Sequence, residues 1–579
     1  LCFIPKEFGS NMAASSSLLH SLKKRRRKLL ILLLSFLLLL ALIATVTTLS
    51  SRRSSSVSTS HVILHTSCGA TRYPSLCLSA ISSSPSLLSS ISSHRDVILA
   101  SLNLTASAVH RSVLHVHSLS SAYANLTDRE RTALADCLDM FHVSLDELRR
   151  TANDLRVLPV AAKDHARPLP ADPEILVSAA MTNQESCLDG FSHDQLDRRL
   201  RGSLIAELTH VMHMCSNALG MIKGLPGRGG VQRRKTTGFG VDKEGWPKWM
   251  GEEDRRRMAA EEVAADAVVA ADGTGDYSTV GEAVAAAPSK SKKRYVIRIK
   301  AGTYAENVEV PKKKTNIMFV GDGRETTVIT GSRNVVDGST TFRSATLAVV
   351  GEGFLARGLR IENTAGPSKH QAVALRVGAD LSAFYDCDIL GYQDTLYLHS
   401  LRQFFRGCLI QGTVDFIFGN AAAVLQDCDI QVRRPSPNQK NMVTASGRDD
   451  PNEPTGIVIH RSRITAAPDL APVQRSFRTY LGRPWKEYAR TVIMESEISD
   501  VIEPEGWHEW SGTFALDTLY YGEYRNTGAG AGTGSRVQWK GYKVITSAAE
   551  AAEFTPGSFI AGSSWLEATG FPYSLGLSS

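Results

Sequence analysis

The hydrophobic rhythm of the chain changes after about residue 222. From 61 to 222, Leu, Ile, Val and Ala recur every three or four residues, as in "ALADCLDMFHVSLDELRRTANDL" (133–155). That spacing gathers apolar side chains on one helical face and predicts an all-α bundle. From 261 to 579 the rhythm is that of short strands. "RYVIRI", "TNIMFVG" and "TLAVVG" stand between turns rich in Gly, Asn and Asp. Residues 223–260, with their glycines, prolines and basic clusters, read as a linker.

The strand-rich part repeats itself. "DCDI" (386–389), "GCLI" (407–410) and "DCDI" (427–430) recur at intervals of 21 and 20 residues. "RSRI" (461–464) and "ESEI" (495–498) continue the pattern at longer spacing. One small residue and one buried Ile per period, in strands, predicts a parallel β-helix whose coils stack at roughly 4.8 Å. Asp394 and Asp415 are 21 residues apart, each seven residues after a repeat cysteine, Cys387 and Cys408. They should meet on one face of neighbouring coils. Gln371 precedes Gln393 by 22 residues and should lie one coil earlier. The cysteines stack by the same arithmetic, which allows Cys387–Cys408 or Cys408–Cys428 disulfides, or plain core filling.

Two carboxylates about 5 Å apart do not both ionise easily, so one can hold a proton while the other stays an anion. Such a pair supplies an acid together with a base or nucleophile. The amides of Gln371 and Gln393 can donate to a developing oxyanion without adding charge. "LGRPW" (481–485) adds Arg483, suited to orient an aspartate, and Trp485, suited to stack on a sugar face. A lone Asp in a β-helix more often satisfies a turn. The coil register and the adjoining Gln and aromatic residues move this pair toward chemistry. The chain has no G-x-S-x-G elbow, no H-E-x-x-H or C-x-x-C spacing and no phosphate loop. No metal and no cofactor is expected.

The N-terminal part reads as an address. A basic tail (1–28) ends in "KKRRRK" and precedes an apolar stretch, 29–49, of membrane-spanning length. It predicts a signal peptide or signal anchor, followed by a flexible Ser/Arg-rich stem over 50–60. The rest would then face an oxidising compartment. Sequons at Asn103 and Asn125 fit that address. Cys68 and Cys77 are close enough for a local clasp, Cys137 and Cys187 would tie two long helices, and Cys215 is left over. "QRRK" (232–235) and "DRRRM" (254–258) suit a processing protease. The formal charge of +7 sits in the basic tail and around the linker, whereas 261–579 carries 33 Lys/Arg against 36 Asp/Glu. Nucleic-acid binding is not indicated.

Several blocks carry a family resemblance. "GYQDTLY" (391–397), "GTVDFIFGNA" (412–421), "HQAVALR" (370–376), "LGRPW" and "FIAGSSWLEATGFPYSLGL" (559–577) resemble the signatures of plant pectin methylesterases. "ALADCLDMF" (133–141) and "AAMTNQESCLDGF" (179–191) resemble the pectin methylesterase inhibitor domain. The resemblance implies a four-helix bundle followed by a right-handed parallel β-helix, acting on methyl-esterified homogalacturonan. It implies Asp415 as nucleophile, Asp394 as acid and then base, Gln371 and Gln393 at the oxyanion, and Arg483 holding Asp415. Trp485 would contact the galacturonate chain, with Thr341 and Phe418 as further substrate contacts. Disulfides would fall on Cys408–Cys428, Cys68–Cys77 and Cys137–Cys187. The helical part would touch the catalytic part within one chain. One departure is "RRRM" (255–258), where the family has a basic pair followed by two leucines. Two other readings are a depolymerase of the pectin backbone and a mainly regulatory binding protein.

Overall fold

The computed structural model describes residues 12–123, 125–157, 173–191, 195–225 and 264–578. Among the described residues seven helices come first: α1 (Met12–Gly69), α2 (Pro74–Ser82), α3 (Pro85–Ser89), α4 (His94–Ala122), α5 (Asp128–Val157), α6 (Pro173–Asp189) and α7 (Gln195–Lys223). Helices α4 to α7 pack around one core built from Val109, Phe141, Leu148, Ala180, Leu208 and Leu219. Disulfides join Cys68 to Cys77 and Cys137 to Cys187, the latter tying α5 to α6. Cys215 is a buried thiol.

Helix α1 departs from expectation. It runs unbroken through 50–60, where a flexible stem was anticipated. Residues 29–68 hold no Gly or Pro, so nothing interrupts the hydrogen-bond ladder. Its last turns are anchored, with Leu64 and Cys68 buried in the bundle core. Leu22–Thr47 is long and apolar enough to cross a membrane, and its side chains are exposed along the whole span. The linker, with both proposed processing sites, lies outside the described residues except for 223–225.

From Ala267 the chain winds into a solenoid of three all-parallel sheets with eleven, seven and eight strands. Helix α8 (Val280–Ala286), begun by a Thr279/Glu282 capping box, follows the "DGTGDY" turn. The expected isoleucine repeat is a ladder in the eight-stranded sheet. Ile329, Ile361, Ile389, Ile410, Ile430, Ile464 and Ile498 pair coil to coil and are all fully buried. The residue opening each repeat block turns the corner in the left-handed region: Asp386, Gly407, Asp427, Arg461 and Glu495 have φ of 50 to 60°.

The cysteine stack also forms, but without a disulfide. Cys387, Cys408 and Cys428 are buried thiols, so the Cys408–Cys428 bridge implied by the resemblance is absent. Each Sγ donates to backbone carbonyls instead: Cys408 to Phe384 and Arg406, and Cys428 to Phe405 and Gln426. In-register stacking puts three thiols in one interior slot, where they fill the core as small apolar groups.

Candidate active site

The seven-stranded sheet carries the site. Its strands Leu375–Val377, Leu396–Leu398 and Ile417–Gly419 pair in register, Leu375 with Leu396 and Leu396 with Ile417. Asp394 and Asp415 each stand two residues before these paired positions. The register therefore sets them side by side, and the Asp394 amide donates to the Val414 carbonyl at 3.0 Å. Both have left-handed backbone, φ 64° and 51°. Asp tolerates that region better than most side chains, and its use here turns both carboxyls onto the outer face. Gln393 precedes Asp394 directly. Gln371 lies on the preceding coil, where the Ala372 amide donates to the Gln393 carbonyl at 3.2 Å. Neither glutamine side-chain amide has a hydrogen-bond partner among the described residues.

The two aspartates have different surroundings. Asp415 is 6 % exposed and is held by Arg483, whose Nε donates to Oδ1 at 2.8 Å and whose Nη2 donates to Oδ2 at 2.5 Å. This bidentate, charge-assisted pair fixes the orientation of the carboxylate. Asp394 is 7 % exposed, and its carboxyl accepts no hydrogen bond from the described residues. Burial, and next the Asp415 charge, push its pKa well above the ordinary carboxylate range, against the pull of Arg483. One stacked pair thus holds a proton donor and an anion.

Around the pair lies an aromatic floor. Tyr397 and Phe418 occupy paired outward positions three residues after Asp394 and Asp415, and their rings stack at 4.2 Å. Phe418 meets Trp485 at 5.9 Å. Trp485 rests on Gly447, where a Cβ would come within 2.9 Å of its ring. Thr341 stands before the strand Leu347–Val349, one coil ahead of Gln371, next to Phe342, which packs on the same floor. The Arg483 guanidinium lies 4.3 Å from the Trp510 ring centroid. Tyr397, His399, Phe342, Trp510 and Lys486 were not singled out from sequence. Tyr397 was recoverable, since it shares Phe418's position one coil earlier. Among the described residues no cluster of His, Cys, Asp and Glu suits a metal ion.

The bundle covers this floor. Helix α6 is buried on nearly every side, as a helix caught between two bodies must be. Val177, Ala180 and Leu188 face the bundle core, while Thr182, Glu185, Ser186 and Asp189 line a small cavity against Tyr397, Asn420 and Trp485. Ser186 Oγ sits 3.2 Å from Tyr397 Oη and 3.0 Å from His399 Nε2. Burial drives the His399 pKa down to about 3, so the ring is neutral in that contact. Asn420 Nδ2 donates to Thr182 Oγ1 at 2.9 Å, and Lys486 pairs with Glu185. Further out, Asp136 of α5 accepts from Thr340 and Arg343, and Ser216 of α7 donates to Asp450 at 2.6 Å.

Comparisons with known proteins agree with this architecture. Residues 266–563 match the pectinesterase family model, and 62–221 match the plant invertase/pectin methylesterase inhibitor model. A Citrus sinensis protein named pectinesterase 1 is 61 % identical over 524 residues, 89 % of each chain. An Arabidopsis thaliana protein named pectinesterase/pectinesterase inhibitor 3 is 58 % identical over 545 residues, 90 % of this chain and 91 % of that one. The solved pectin methylesterase from carrot is 72 % identical with a TM-score of 0.55, and the match covers 55 % of this chain and all of that one. The match spans the whole carrot chain, whose length is that of the catalytic part alone. The chain belongs to the pectinesterase family, with an inhibitor-type helical domain ahead of its catalytic β-helix.

Proposed function

We propose that the site removes methyl esters from pectin through a covalent intermediate on Asp415. The contrast between the stacked aspartates carries the proposal: one is bidentately held as an anion and the other is buried without a hydrogen-bond partner. An Asp415 oxygen attacks the C6 carbonyl of a methyl galacturonate. The amides of Gln371 and Gln393 donate to the oxyanion of the tetrahedral intermediate. Asp394 gives its proton to the departing methoxide, which leaves as methanol. The resulting anhydride is hydrolysed by a water whose proton passes to Asp394, releasing the galacturonate carboxylate and restoring Asp415. Trp485, Phe418 and Thr341 serve as substrate contacts, and Arg483 holds Asp415 in its orientation.

In this proposal the helical domain is an autoinhibitory pro-region, since α6 occupies the floor where the polymer must lie. The segment 29–49 takes the chain into the secretory pathway, as a signal peptide or as an anchor in a Golgi-stage precursor. Asn103 and Asn125, both exposed, are the glycan acceptors. A protease acting within 223–260 then frees the catalytic part in the cell wall. Methanol and polymer length, measured together on residues 264–579, test the chemistry. The expected result is methanol at unchanged chain length. Shortening without methanol would replace the esterase with a backbone depolymerase.

A further inference from the structure

Lys486 follows Trp485 directly, and its Nζ lies 5.3 Å from the Trp485 ring centroid. It lines the cavity bounded by Tyr397, Asn420 and Trp485, at the rim of the aromatic floor. Its direct ion partners both come from α6. Glu185 is in contact, and Asp189 Oδ1 is 3.6 Å away. In the docked state the lysine side chain is only 15 % exposed. Within its own domain, Asp449 lines the same cavity and interacts with the Lys486 charge at longer range than Glu185 and Asp189 do. Glu487, the next residue, is engaged by Arg72 of the helical domain and is released with it.

Two other cations beside the floor are occupied within the catalytic domain. Arg483 spends its guanidinium on Asp415, and Arg376 donates to the Phe342 carbonyl while stacking on that ring at 3.4 Å. When α6 departs, Lys486 alone among these three loses its direct partners. An ammonium at the edge of a largely aromatic floor has no use for a neutral methyl ester. It suits a carboxylate, the group the reaction leaves on the polymer.

We propose that Lys486 is a subsite for a free galacturonate carboxylate near the ester being cut, and that Glu185 and Asp189 fill it as stand-ins while α6 is docked. This deepens the pectin esterase reading and rests on it. The two carboxylates are one helical turn apart, so both reach the same ammonium. The subsite makes a polymer that already carries a free acid the better substrate. A cation with a low-dielectric wall on one side discriminates such charge more strongly than an open surface lysine does.

The test uses residues 264–579 and two oligogalacturonate preparations, one fully methyl-esterified and one bearing a free carboxylate beside the remaining esters. The parent is expected to show about tenfold higher kcat/KM on the carboxylate-bearing substrate, the scale of one ion pair in a partly desolvated site. Lys486→Ala should bring that ratio near one, and Lys486→Arg should keep most of it. A parent without the preference, or an alanine variant that loses activity equally on both substrates, overturns the subsite. Failure of the parent to release methanol from the fully esterified preparation would instead strike the esterase reading. In the full chain, Glu185→Gln, which removes the contacting carboxylate, should raise methanol release several-fold. An unchanged rate overturns the stand-in role of α6.

Discussion

The intact chain is expected to release methanol from methyl-esterified pectin at least ~100-fold more slowly than residues 264–579 alone, each tenfold step corresponding to about 1.4 kcal/mol of docking free energy. The ground is steric and chemical at once. Helix α6 lies over Tyr397, Asn420 and Trp485, and polar contacts from Thr182, Ser186 and Glu185 satisfy the groups it covers. A covalent linker keeps the local concentration of the bundle high, so undocking is a small population. The block should also depend on pH. Burial, with Glu185 adding, pushes the Asp189 pKa up to about 6, against the pull of Lys486 and Arg201. The docked chain thus binds that proton more tightly than the undocked one. Docking is favoured below the ordinary carboxyl range, weakens as pH rises through roughly 4, and has lost the contribution above about 6. Burial likewise pushes Asp449, in the same cavity, up to about 6, and it acts in the same sense. The Asp189 side chain keeps 32 % of its surface exposed, so solvent damps the effect to a few-fold between pH 4 and 7. Equal rates for the two chains at every pH would contradict autoinhibition.

Asp415→Asn should lower methanol release by residues 264–579 by at least about 10⁴-fold, because an amide cannot attack the ester carbonyl or carry the acyl group. Asn fits the same space and tolerates the left-handed backbone at φ 51°, so the fold should survive. The substitution does strand the Arg483 charge, and a drop of a few degrees in Tm is expected. A folded Asp415→Asn protein that retains a substantial rate would remove the nucleophile from this position. Asp394→Asn should cost less, about 10²–10⁴-fold, since it removes a proton donor and leaves the attacking group in place.

The solenoid was legible in the sequence because its period is written in one sheet. The seven-member isoleucine ladder and the recurring left-handed corner both lie in the "DCDI"-type blocks. Counting from those blocks placed Asp394 beside Asp415, and the structure shows why the count works: the steps from Cys387 to Leu396 and from Cys408 to Ile417 have the same length. Arg483 lies beyond that count. It reaches Asp415 from 68 residues away, over two coils with long inserted loops; its residue type suggested that it could orient an aspartate, and the family resemblance named Asp415. What no single-chain pattern could give is the face-to-face contact of the two domains. Glu185 and Lys486 are 301 residues apart, and each alone reads as an ordinary surface charge. The continuous helix through 50–60 was missed because serine-rich composition was read as flexibility, although nothing there breaks a helix. The expected Cys408–Cys428 bridge failed for a related reason. Stacking brings thiols together, but three in one slot with carbonyl acceptors are already satisfied.

The central claim is that Asp394, buried beside the aspartate that Arg483 holds, keeps its proton above the ordinary carboxylate range. An infrared difference spectrum between the intact chain and its Asp394→Asn variant, recorded over a pH series, measures this directly. The account predicts a protonated-carboxyl band in the parent that the variant lacks, fading only as pH rises above the ordinary carboxylate range. A band lost within that ordinary range would contradict it.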